Sequence, residues 1–140
     1  MKNSVKKEIE KLIEYHNLNC SIEEFEEKAD WYLVSSNRIL SEDFIREFQD
    51  KIDWSEISFN QKLSENFIRE FKDKVEWGYI SKYPKLSKDF ILEFKDKVDW
   101  ANITESQGIN KKDIEEYEFK KVIEENNRTR VKNKFKLIRF

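Results

Sequence analysis

Residues 40–54 read LSEDFIREFQDKIDW, residues 63–77 read LSENFIREFKDKVEW, and residues 86–100 read LSKDFILEFKDKVDW. Each phrase ends on a tryptophan, and Trp31, Trp54, Trp77 and Trp100 follow one another at intervals of 23 residues. FEEKADW at residues 25–31 is the end of a partial earlier copy. A decayed later copy keeps Ile103, Thr104, Ile109, Asn110, Ile114 and Tyr117 in the corresponding places. Self-similarity at a fixed short period is the signature of a repeat architecture.

Within each copy the residues spell two helices. Ser41, Ser64 and Ser87 stand where an N-cap hydroxyl satisfies an orphan backbone N–H. Glu42, Asp43, Glu65 and Asp89 follow in the first turn, where negative charge complements the helix dipole. Leu40/Ile45, Leu63/Ile68 and Leu86/Ile91 occupy the two positions of a hydrophobic staple. Phe44, Ile45 and Phe48, with their counterparts 67/68/71 and 90/91/94, form one apolar stripe. Glu47/Lys51, Glu70/Lys74 and Glu93/Lys97 are spaced as helical i, i+4 pairs, so the first helix is expected to run through them. A shorter second helix is expected to open at Asp53, Glu76 or Asp99, with Asp53 and Glu56 spelling a capping box. Trp54 and Trp77 are expected to be mostly buried and equivalently placed, and Asp50, Asp73 and Asp96 to make a local turn or cap bond, the alternative being a functional acidic row.

Neither helix can bury its stripe alone. The expected fold is therefore all-α: a short α-solenoid of tandem 23-residue helix-turn-helix repeats. Residues 1–20 are expected to hold an N-terminal capping helix, with Val5, Ile9, Leu12, Ile13 and His16 on one side. Residues 21–125 are read as a single-domain repeat array whose last helix covers 113–125, and residues 126–140 as a basic C-terminal tail. The tail alternates Arg128, Arg130, Lys132, Lys134 and Lys136 with other residues, which fits a strand with one basic edge, although Val131, Phe135 and Ile138 also suit a helix face.

Composition permits this. The chain has 140 residues, 20 of them aromatic, and only two Gly and one Pro to break helices. Six of its 27 basic residues and none of its 29 acidic ones lie in 126–140, so the preceding 125 residues carry a net charge of −8. One cysteine, Cys20, excludes an internal disulfide framework and fits a reducing compartment. There is no apolar run of membrane-spanning length and no secretion-signal pattern at residues 1–8. A cytoplasmic location is expected, with no membrane partner.

The phrase L-S-x-x-F-I-x-E-F-x-D-K-V-D-W-x-x-I-S resembles short tryptophan-containing repeats in proteins of giant viruses, bacteriophages and low-GC bacteria. The resemblance covers about residues 25–105 and implies an array, with no catalytic residues to carry over. For a viral or phage protein, the expected location is the cytoplasm of the host cell.

Chemistry-bearing constellations are sparse. His16 and Cys20 lie four apart, but a metal or a catalytic pair needs further ligands or partners that the sequence does not provide. Catalytic residues, metal ligands and cofactors are all expected to be none. The expected activity is non-catalytic binding of a macromolecule by surface occupation. Positions that vary between copies mark the binding face, and the partner-binding candidates are Tyr32, Leu33, Phe59, Tyr79 and Tyr83. With the viral resemblance, this sharpens to a phage-type inhibitor of a host defence complex such as a CRISPR effector. The alternative is a nucleic-acid-engaging protein, in which Arg128, Arg130, Lys132, Lys134 and Lys136 meet nucleic acid or an acidic partner.

Overall fold

The computed structural model describes residues 1–37, 39–83 and 85–138. It is all-helical, with 64% of the chain in helix and no strand among the described residues. The chain forms two compact units, Met1–Ile80 and Ser81–Phe140, and the division falls inside the stretch 21–125 that the sequence reads as one domain. No described helix is long and apolar enough to cross a membrane.

The first unit holds α1 (Asn3–Tyr15), α2 (Phe25–Lys28), α3 (Trp31–Ser35), α4 (Glu42–Glu47), α5 (Trp54–Asn60), α6 (Glu65–Glu70) and α7 (Trp77–Ile80). Val5, Ile9 and Leu12 of α1 are buried. The same helix supplies Glu8, whose carboxylate accepts from the Ser41 backbone N–H at 2.8 Å and from its hydroxyl at 2.6 Å. One copy later Glu42 accepts from the Ser64 N–H at 2.6 Å. Helix α1 thus does for α4 what α4 does for α6.

The core is a row of phenylalanines and isoleucines rather than of tryptophans. Phe25, Phe44, Phe67, Ile45 and Ile68 are fully buried, and Trp31, Trp54 and Trp77 are partly buried beside them. Two of the indoles lie against a phenylalanine of the following copy: Trp31 to Phe48 and Trp54 to Phe71, both at 5.0 Å between ring centroids. The indole N–H donates to a carbonyl five residues back, as in Trp54 to Gln49 at 3.0 Å and Trp77 to Lys72 at 3.0 Å. An indole must keep its N–H satisfied, and this local bond holds the ring at the edge of the core.

The helix on the LSEDFIRE phrase is shorter than expected. Its N-caps are as read, with Ser41 and Ser64 accepting from Phe44 and Phe67 at 3.1 Å. But α4 and α6 stop after six residues, where Phe48 and Phe71 leave helical geometry at φ −109° and the N–H groups of Ile52 and Val75 turn back to their carbonyls. Among the described residues Glu47/Lys51 and Glu70/Lys74 form no i, i+4 ion pair, because the helix ends between them. Glu70 takes Arg46 at 2.9 Å, and Lys74 takes Asp50 at 3.4 Å, so Asp50 serves the next copy rather than a local turn.

The second unit repeats the pattern once. Helix α8 (Lys88–Glu93) is capped by Ser87, and α9 (Trp100–Gln107) by Asp99. Phe90, Ile91 and Ile103 are fully buried, and α9 ends on Gly108 at φ 66°, a left-handed conformation suited to glycine. Helix α10 (Lys111–Ile138) packs on α8. Asn110 and Asp113 form a reciprocal capping box there, each side chain accepting from the other's backbone N–H at 3.0 and 2.8 Å. Residues 117–123 read YEFKKVI, without the F-x-D-K-V-D-W turn, so the helix runs on instead of stopping. This corrects both the boundary at 125 and the extended reading of the tail: residues 126–138 are helical, and residues 139–140 fall outside the described ones.

Candidate functional site

A recurrent polar device fixes how successive short helices meet. Ser35, Ser58 and Ser81 are fully buried, four residues after a tryptophan. Ser35 and Ser58 donate to the carbonyls of Trp31 and Trp54 at 2.6 and 2.7 Å. The three hydroxyls accept from the next copy's Asp53, Glu76 and Asp99 backbone N–H groups at 2.8, 2.9 and 2.8 Å. Asp53 therefore caps α5 through Ser55 and Glu56 without closing the expected capping box, because its own N–H is spent on Ser35. The sequence signal for this contact is a small hydroxyl at one constant phase to the tryptophans, in Ser35, Ser58 and Ser81.

The geometry this produces places α3, α5 and α7 side by side in the first unit. Their outward positions carry Tyr32 (59% exposed), Leu33 (49%) and Phe59 (64%). Tyr79 is half-buried, its ring edge-on to Phe59 at 5.2 Å. Four of the five partner-binding candidates thus fall on one set of neighbouring helices. Tyr83, also half-buried, belongs to the second unit. Ile39, 85% exposed before α4, was not singled out, yet its counterparts are Lys62 and Lys85, the same kind of departure that marked Phe59.

The chemistry around this surface is structural. Asp30, Asp53 and Asp99 are N-caps. Arg46 lies 5.0 Å over the Phe67 ring and grips Glu70 with two contacts, and that hydrogen bond raises its guanidinium pKa further. Asp43 is held below the ordinary carboxylate value chiefly by its bond to Lys2. In the second unit the Tyr117 hydroxyl donates to Asp89 at 2.9 Å, and Lys121 donates to the same oxygen. The Asp89 bond raises the pKa of both donors, so the phenol becomes a poorer acid and the cluster fastens α10 to α8. His16 caps the end of α1 and buries its Nε2 without a protein partner, and Cys20 is a half-buried free thiol.

No family model, no curated protein and no solved structure matches this chain. The reading of its function therefore rests on its own surfaces.

Arg128, Arg130, Lys132, Lys134 and Lys136 are all on the C-terminal half of α10 and exposed. Every residue from Phe119 to Ile138 is exposed.

Proposed function

We propose that the protein is a non-catalytic binding module whose copies stack as a short α-solenoid, and that the outward face of α3, α5 and α7 takes a protein partner. One observation carries the reading. Tyr32, Leu33 and Phe59 are exposed apolar side chains at positions where other copies carry Ser55 and Gly78, Glu56 and Tyr79, or Ser36 and Lys82. Packing does not require them there, because the short helices with polar residues at those places form equally well. Large aromatics clustered on a surface are what a binding hot spot uses, and clustered exposed apolar groups mark interaction sites.

Each short helix is pinned by a buried serine to the next, so the face is rigid and little ordering cost accompanies binding. The residues present favour occupation of a surface over turnover of a substrate. The viral resemblance of the repeat phrase supports a setting in which such a module inhibits a host complex by covering part of it.

The test is a combined Tyr32→Ser, Leu33→Ser, Phe59→Ser and Tyr79→Ser variant, compared with wild type in affinity capture from host-cell extract. The variant should keep its helical spectrum and lose capture at least tenfold. Undiminished capture by a folded variant would place the binding face elsewhere.

A further inference from the structure

The C-terminal half of α10 is an unpartnered helix whose charge pattern suits one kind of ligand. The helix is continuous from Lys111 to Ile138. Its last acidic residue is Glu125. Beyond that point Arg128, Arg130, Lys132, Lys134 and Lys136 are exposed, and among the described residues none of their side chains forms a hydrogen bond or an ion pair.

In a strand the alternate cations would share one edge. In a helix two residues are about 200° apart. Arg128, Lys132 and Lys136 therefore make one row at i, i+4, i+8, and Arg130 with Lys134 makes a second row on nearly the opposite side. Between the rows lie Val131, Phe135 and Ile138 on one face and Asn126, Thr129 and Asn133 on the other. A flat acidic surface engages only one of two opposed rows. A groove walled by anions on both sides engages both.

We propose that residues 126–138 of α10 are a DNA-binding element that lies in the major groove of a duplex, with one cation row on each phosphate wall. Such a helix is about 10–12 Å across and these residues span roughly 20 Å, which fits a B-form major groove about 12 Å wide. The net charge of −8 over the preceding 125 residues confines the attraction to this segment. Asn126, Thr129 and Asn133 bring amide and hydroxyl groups of the type that meet base edges. A-form RNA has a major groove too deep and narrow for side chains to read, so duplex RNA is disfavoured.

The probe is a fluorescent 16-base-pair DNA duplex titrated with the full chain. If about five phosphates are neutralised, log K falls with log[salt] at a slope near −4.5, a loss of roughly 500-fold between 50 and 200 mM. Replacing Arg128, Lys132 and Lys136 with Gln should weaken binding at least tenfold at 50 mM salt, and so should replacing Arg130 and Lys134. Both variants should retain their helical spectra, which separates lost contact from lost folding. The proposal is overturned by absence of binding at 50 mM salt, by a loss confined to one row, or by equal binding of duplex RNA. Equal or tighter binding of single-stranded DNA, polyglutamate or phosphatidylserine vesicles overturns it as well. The first unit's aromatic face is untouched by these variants, so the two readings fail independently.

Discussion

At the scale of single residues, the serine after each tryptophan does more than its size suggests. Ser58 is fully buried, donates to the Trp54 carbonyl and accepts from the Glu76 backbone N–H. Ser58→Ala leaves that N–H and carbonyl without the hydroxyl, a cost of about 1–3 kcal/mol. A fall in Tm of roughly 5–15 °C is expected from that range in a domain of this size. An unchanged Tm would mean that water replaces the hydroxyl. The phenylalanines and tryptophans separate in the same assay. Phe67→Ala should cost about 3–5 kcal/mol, the scale for a fully buried large aromatic. Trp77→Ala should cost less, because Trp77 is only partly buried whereas Phe67 is fully buried. Equal losses from the two would contradict the division of labour between core and rim.

At the scale of elements, α10 carries two independent expectations. Its fastening to α8 is pH-dependent in a known direction. Tyr117 has its pKa raised above the ordinary 10.0, first by its bond to Asp89, so the stabilisation is complete below that value and is lost as pH rises through the raised one. Wild type should therefore exceed Tyr117→Phe in Tm at neutral pH and lose that advantage in alkali; a gap that persists above the raised value would deny the linkage. Deleting residues 126–140 should leave Tm unchanged and remove helical signal in proportion to 126–138, because that segment is exposed along its whole length. The helix itself shows where sequence reading stops. Ser41, Ser64, Ser87 and Asp53 were legible as caps because capping is local chemistry, decided within three residues. The end of α4 at Glu47 was not, because Glu47/Lys51 spacing looks helical until the D-K-I-D turn is seen to close on Phe48. Arg46 to Glu70 and Asp50 to Lys74 were hidden for a different reason. They join copies, and a period of 23 names equivalent positions without saying which ones touch.

At the scale of the whole molecule, the repeat phrase accounts for why each copy folds, and the departures from it account for what the surface offers. Phe44, Phe67 and Phe90 recur because a closed core demands them. Tyr32, Leu33 and Phe59 do not recur, and they are where the first unit meets solvent with apolar surface. The candidate face was legible from that variation alone, and the same variation marks Ile39 against Lys62 and Lys85. The most direct measurement of the central claim is photocrosslinking from that face. A photoreactive phenylalanine analogue placed at Tyr32 or Phe59, and separately at the exposed Glu47 of α4, is irradiated in host-cell extract. The account predicts that positions 32 and 59 yield an adduct with the same protein and that position 47 yields none. Adducts from 47 with none from 32 and 59 would contradict it.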